Sequence, residues 1–355
     1  MRVSVILTVY NLENYIEETL QSLLSQSYDD VELIIVDDAS NDHSLVMIEA
    51  HTKAFHHKGY MVKIITNPTN GGVMYATCMG LKEVTGEIVL FLDGDDRWHP
   101  QKIALMVEKF CEDTYILLSH NYNYIDEESK LLCIEDTTQT PLVALDKKGD
   151  VIAISALMKE GIGKPQGLVW LGSAYGINLR YFCLSDFLQF MEKNASNMRE
   201  LYQDWPLATY VLAVSQERKF GYISSKLLDY RIHQDNYSGA TKVTRKKAYA
   251  QAKKGYETSL FIEKIYHFFV GNLRDSYEES MVYRQNMRRY YMFLLLLYRF
   301  SFKEAKAFYI YLSTHDWSKK RCYKEGIRFL GVFLFRDGFF LLKNIWKKRK
   351  KRCVE

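Results

Sequence analysis

Residues 88–96 read Ile-Val-Leu-Phe-Leu-Asp-Gly-Asp-Asp, five apolar residues that run into a cluster of carboxylates. An uninterrupted apolar run of this length fits a strand buried on both faces of a parallel sheet. Asp93 then falls at the carboxyl end of that strand, where open α/β sheets bind their ligands. Asp93 and Asp95, separated by one glycine, can turn hard oxygen ligands toward a divalent cation, and such a cation can clamp a diphosphate. Taken alone, an acidic turn after a core strand explains the same residues equally well.

The segments on the amino-terminal side repeat the pattern. Apolar strands are expected at 3–9, 32–36 and 62–65. They end in Thr8-Val9-Tyr10-Asn11, in Asp37-Asp38-Ala39-Ser40 and, just beyond the third, in Asn67-Pro68-Thr69-Asn70-Gly71-Gly72. Helical spacing follows the first strand through Tyr15, Ile16, Leu20, Leu23 and Leu24, and a helix is expected after the glycines to about Val84. Strands that end in polar tips and pass into helices give an α/β class with a mostly parallel, Rossmann-like sheet flanked by helices. Neither a Gly-x-Gly-x-x-Gly turn after the first strand nor a Walker-type phosphate loop is present.

Together, Val-Ser-Val-Ile-Leu-Thr-Val-Tyr-Asn (3–11), Val-Asp-Asp-Ala-Ser (36–40), Asn-Gly-Gly-Val (70–73) and the 86–96 segment resemble the family 2 glycosyltransferases of bacterial surface-polysaccharide type. The resemblance implies a GT-A fold and an inverting enzyme with a nucleotide-sugar donor. It implies that Thr8 and Tyr10 line the base pocket and that Asp38, helped by Asp37, bonds the base or ribose. It also implies that Asp93 and Asp95 serve the metal and diphosphate, with Asp95 the direct ligand and Mn²⁺ or Mg²⁺ the ion. Many relatives carry Ala-Arg-Asn in the helix after the glycines, where this chain has Ala76-Thr77-Cys78.

Further along, Gln203-Asp204-Trp205-Pro206 stands where relatives have a Glu-Asp pair opening a helix. The family base is the Asp, so Asp204 is the expected catalytic base. Asp before Trp-Pro is also a good helix N-cap, and a positive helix end should lower its pKa. Tyr230-Arg231-Ile232-His233 resembles the run that closes the family's catalytic domain, which implies that Arg231 and His233 approach the diphosphate or metal once donor is bound. Between these motifs, the glycines of 161–167 and the aromatics of 170–175 suit an acceptor site, with Trp170 as the sugar-stacking candidate or else a core residue.

The 355 residues are 48% hydrophobic and 25% charged, a globular composition. Six scattered cysteines without Cys-x-x-Cys indicate neither zinc nor a disulfide framework and agree with a reducing cytosol. No signal peptide is expected, since the first strand begins at residue 3.

Net charge divides sharply. Residues 241–355 hold 27 Lys+Arg against 10 Asp+Glu, a net +17, while 1–240 hold 20 against 33, a net −13. The expected organisation is therefore a catalytic domain over 1–240 (donor side about 1–120, acceptor side about 121–240) and a basic helical extension over 241–355. Apolar patches at 290–298 and 329–342 fall short of the ~20 residues that span a bilayer. The first is expected to be buried in the protein. The second leads into Trp346 and six consecutive basic residues at 347–352, which suits an anionic membrane surface. A helical pair packed on the catalytic domain, or a homodimer contact through these helices, accounts for the same pattern.

The expected partners are a nucleotide-sugar donor, foremost a UDP-sugar, a glycan or lipid-linked acceptor and the membrane surface through 329–352, but no nucleic acid. The expected location is the cytoplasmic face of the cell membrane. The rival from another class is a non-catalytic nucleotide-sugar or glycan-binding protein on the same fold. A nucleotidyltransferase would want a Gly-rich basic loop where this chain has Tyr10-Asn11-Leu12-Glu13.

Overall fold

Strand β4 (Ile88–Asp93) lies inside the sheet, parallel to β1 (Val3–Val9). Beyond β1 come β2 (Val31–Asp37) and then β3 (Met61–Thr66), all parallel. On the other side β9 (Tyr175–Asn178) runs antiparallel between β4 and β6 (Tyr115–Ile125). Next is β10 (Lys219–Arg231), parallel to β6, with β5 (Arg97–Trp98) antiparallel on it. The short strands β7 (Leu131–Leu132) and β8 (Ile152–Ala153) pair with β6 and β10. The structure, a computed structural model, describes residues 1–133, 152–153, 171–215, 219–234, 236, 244–269, 288, 290–296 and 298.

Two helical layers explain why the central strands are apolar without alternation. Helices α1 (Ile16–Leu24), α2 (Ser44–His57) and α4 (Lys102–Glu112) bury Ile16, Leu20, Leu23, Ile48, Phe55 and Met106 against Val5, Leu7 and Leu90. The opposite face carries α3 (Val73–Leu81), α5 (Leu184–Asn194), α6 (Asp204–Val214) and α7 (Arg245–Phe268). Helix α7 lies in the stretch that charge sets apart, yet Phe261, Ile262, Ile265 and Tyr266 are buried in this second layer. Leu294, Leu295 and Tyr298 of the 290–298 patch pack in turn on Ala248 and Ala252, while Tyr290 stays half exposed.

Element types follow the expectations, with shifted ends. Helix α3 stops at Leu81, three residues short of Val84. His56 and His57 form the last turn of α2. That helix stops where Gly59, at φ +88°, bends the chain and its N–H closes on the His56 carbonyl. Among the described residues no helix is long and apolar enough to cross a membrane.

Gly86 sets how closely β4 enters beside β1. Its N–H donates to Ser4 Oγ at 2.9 Å, and a Cβ there would stand 2.8 Å from both Arg2 O and Ser4 N. Backbone cannot yield as a side chain can. Gly86→Ala is expected to cost about 2 kcal/mol, read by urea denaturation; a midpoint equal to that of the parent chain would show that the strand entry relaxes freely.

Candidate active site

Parallel register brings three strand ends level, pairing Thr8 with Asp93 and Val9 with Asp37. Thr8 Oγ1 donates to Asp93 Oδ1 at 2.9 Å, and the Asp93 N–H donates to Ser173 Oγ at 2.9 Å. A Cβ on Gly172 would lie 3.1 Å from Asp93 Oδ2 and 2.7 Å from Gln203 Oε1, so these two side chains meet over that glycine. Gln203 Nε2 donates to the Tyr175 hydroxyl at 3.0 Å. An amide here adds no third negative charge beside Asp93 and Asp204.

The loop after β1 is tied to the loop after β2. Asn11 N–H donates to Ser40 Oγ, Leu12 N–H to Ser44 Oγ, and Asn11 Oδ1 accepts from Asn41 N–H. Asn11 (φ +53°) and Ala39 (φ +62°) both take left-handed backbone to make this join, which for an alanine costs about 1 kcal/mol. The join leaves Tyr10 on the rim, 44% exposed. Asp38 is buried: Oδ1 accepts from Asn67 Nδ2 and Gly71 N–H, and Oδ2 accepts from Gly72 N–H at 2.7 Å. It therefore ties the end of β2 to the glycine loop. Asp37 is fully buried, with Oδ2 accepting the Ser40 N–H and Oδ1 lacking a partner among the described residues.

Asp95 Oδ2 lies 2.9 Å from His233 Nε2. The imidazole is buried and packs on the Tyr15 ring at 4.5 Å, and Asn236 Oδ1 accepts its backbone N–H. Arg231 stands behind the same loop. Its guanidinium is fully buried, and Nε donates to the Asp95 carbonyl, NH1 to Ser129 Oγ and the Asp126 carbonyl, and NH2 to Glu18. With these partners it braces the loop that carries Asp95 in the ligand-free chain. Trp170 lies outside the described residues, as do 329–352.

Asp204 corrects two expectations. Gln203 is the N-cap and Asp204 the first helical residue, with Oδ1 accepting the Trp205 N–H at 2.9 Å. Its pKa is raised to about 7, not lowered: burial is the main cause, the Trp205 hydrogen bond opposes it, and the charge of Asp93 adds to it. A helix end contributes only about 0.3–1 kcal/mol, less than one pKa unit, whereas desolvation can move a carboxyl by several. Burial and the charge of Asp95 likewise bring Asp93 up to about 6, against the Thr8 hydroxyl. Both carboxyls keep partial exposure, as groups at a pocket mouth would.

The residue types suit a divalent cation. Asp95 Oδ2 and His233 Nε2, joined here by a hydrogen bond, would be the residues to hold such an ion. Among the described residues no three His, Cys, Asp or Glu side chains could hold a metal together. One or two carboxylates completed by substrate phosphates and water is the usual arrangement for magnesium.

Residues 4–136 match the family profile described as Glycosyl transferase family 2, a stretch that contains Thr8, Asp38, Asp93 and Asp95. Those residues belong to glycosyl transferase family 2. An uncharacterized glycosyltransferase of Nostoc sp. is 34% identical over 148 residues, covering 41% of this chain and 44% of the relative. The chain thus spans less than half of that relative's length. The Escherichia coli protein named UDP-Glc:alpha-D-GlcNAc-diphosphoundecaprenol beta-1,3-glucosyltransferase WfgD is 24% identical, covering 57% of this chain and 83% of WfgD. Among solved structures, S. aureus TarS 1–349 in complex with UDP-GlcNAc superposes with TM-score 0.50 at 16% identity, covering 83% of this chain and 82% of that one. The fold is accordingly of the GT-A type.

Four residues escape a family-guided reading. Thr19, within the apolar stripe of α1, bonds the Gly94 and Asp96 carbonyls at 2.9 and 2.7 Å and pins the loop from below. Asp96 is fully buried and accepts the Arg231 N–H at 2.9 Å. Ser173 and Lys254 come from segments that no family motif marks. A polar residue at helical spacing between Ile16 and Leu20 was the one visible signal for Thr19.

Arg231→Lys separates bracing from substrate contact. A lysine keeps the charge and loses the planar fork, so the ligand-free protein is expected to lose about 3 kcal/mol of stability. Unchanged stability with a raised donor KM would return Arg231 to the diphosphate.

Proposed function

We propose that the protein is a metal-dependent inverting glycosyltransferase that moves a sugar from a nucleotide diphosphate, foremost UDP, to a hydroxyl of a glycan or lipid-linked acceptor. The observation that carries it is the Asp95–His233 pair, set at the carboxyl end of β4 beside Asp93. The donor classes in the names of TarS and WfgD support the nucleotide, and the diphosphoundecaprenol in the name of WfgD supports the lipid-linked acceptor. Tyr10 stands exposed at the rim, where its ring could cover a nucleotide base.

Asp95 and His233 are the metal residues in this proposal, and Asp93, held by Thr8, stays on the donor side. A divalent cation bound there supplies positive charge against the leaving diphosphate. Asp204 accepts the proton of the acceptor hydroxyl, whose oxygen forms a bond to the anomeric carbon from the face opposite the diphosphate. The anomeric C–O bond breaks and the diphosphate departs with the electron pair. Burial suits this base, since a pKa near the working pH combines ionised population with proton affinity. Contact with an anionic membrane through 329–352 rests on the polybasic sequence at 347–352.

Two substitutions test the assignment with a UDP-sugar panel. Asp95→Asn is expected to abolish metal-dependent donor binding in a calorimeter while preserving the melting temperature. Asp204→Asn should keep donor binding and lose transfer by about a hundredfold or more. The parent's kcat/KM should rise with pH through about 7, because protonated Asp204 cannot accept a proton and its folded pKa lies there. Donor and metal binding equal to the parent in Asp95→Asn would move the site elsewhere.

A further inference from the structure

Helix α7 comes from the stretch that charge sets apart, yet one stripe of it closes on the segment that leads into Asp204. Along that stripe Lys254, Thr258, Phe261, Ile262 and Ile265 recur at helical spacing, and all are buried. The apolar half enters the second core layer, whereas the polar half meets residues 200–202. Thr258 is 2% exposed, and its Oγ1 accepts the Tyr202 N–H at 3.0 Å. Lys253 Nζ pairs with Glu200 Oε1 at 2.8 Å, and Lys254 Nζ lies over the Tyr202 ring, 5.2 Å from its centroid. On the far side a Cβ on Gly255 would collide with the Tyr291 ring, so α7 cannot draw back without displacing that side chain.

The same segment is fixed from the donor side. Asp38 holds the N–H groups of Gly71 and Gly72, and a Cβ on Gly72 would stand 2.8 Å from Arg199 Cα and 2.9 Å from its carbonyl oxygen. Gln203 Nε2 donates to the Tyr175 hydroxyl of β9, and Leu201 is buried in the core between them. Residues 199–203 are therefore held between the glycine loop, β9 and α7, and Asp204 opens α6 at their end. The Thr258 hydroxyl fixes the main chain two residues before that carboxylate. Valine would fill the same space, so the hydroxyl is what this place uses: it satisfies a backbone donor that would otherwise be stranded against the helix.

We propose that Thr258 is a positioning residue for the transfer step: by holding the Tyr202 N–H it sets where the main chain delivers the Asp204 carboxylate, which makes α7 part of the transfer machinery. The proposal rests on the assignment of Asp204 as base. A general base has to stand within hydrogen-bond reach of the proton it takes, and a misplacement of about 1 Å can cost on the order of a hundredfold in rate. The donor residues sit on other elements, at the ends of β1, β2 and β4. The tie to α7 therefore bears on the rate of transfer rather than on donor affinity.

The test uses the full chain as the parent, as Thr258→Val and Thr258→Ser, and as Thr258→Val combined with Asp204→Asn. For UDP release from a turned-over UDP-sugar, kcat should fall about tenfold in Thr258→Val at unchanged donor KM, and recover in Thr258→Ser. On the Asp204→Asn background the same valine should cost less than about twofold, because a residue that acts through the base has nothing further to lose. Amide hydrogen exchange over 200–205 should quicken in Thr258→Val while β4 stays as protected as in the parent. Thr258→Ala removes the same hydroxyl with a smaller side chain and is read in the same way if the valine protein does not fold. A kcat equal to the parent's, or an equal fold-loss with and without Asp204, would overturn the proposal. A parent that releases no UDP, or an Asp204→Asn chain that releases it like the parent, would instead sink the reading of Asp204. The exchange rates would still decide whether Thr258 orders that segment.

Discussion

The end of the sheet hangs on the buried guanidinium of Arg231. From β10 it reaches the carbonyl of Asp95, the carboxylate of Glu18 on α1 and the 126–129 turn after β6, while its own N–H is taken by Asp96. Three elements distant in sequence are fixed to one planar group, and the loop that carries Asp95 is among them. A rigid fork suits this task better than a point charge, because the directions of its bonds set the shape of the loop. His233, two residues on, inherits its position from the same anchor and from Asn236, whose Nδ2 bonds the Arg231 carbonyl at 2.8 Å.

A second constraint is charge. Asp93, Asp95, Asp96 and Asp204 are gathered where water is scarce, and burial raises three of them. Hydroxyls of Thr8 on Asp93 and of Ser173 on Asp96 favour the charged forms without adding negative charge. Asp229 shows the opposite balance. Burial works against its ionisation, yet hydrogen bonds from His99, Asn123 and Arg97 outweigh it and hold its pKa well below the usual carboxylate range. The same side chain is thus a structural anion in one place and a candidate base in another.

Much of this was legible in the sequence because local pattern and strand position coincide. The apolar runs of β1, β2 and β4 gave the sheet, and their polar ends gave Thr8, Asp37, Asp38, Asp93 and Asp95. Asp204 was marked by position, but its environment was misjudged. A helix terminus is visible in sequence, whereas the burial that overrides it, to which the charge of Asp93 adds, comes from tertiary packing. The partners of Arg231 on α1 and in the 126–129 turn are likewise brought together only by the fold. Lys254 was hidden for a different reason. In a helix rich in lysine, charge counting marks it as one more solvated residue, and tertiary packing alone distinguishes the one that points inward.

The central claim is that a metal-bound nucleotide diphosphate occupies the carboxyl ends of β1, β2 and β4. A crystal structure of the full chain grown with UDP and Mg²⁺ tests it most directly. Asp95 and His233 would hold the ion against the diphosphate, with the base at Tyr10. A nucleotide seated elsewhere, or an ion bound to neither Asp95 nor His233, would contradict the account.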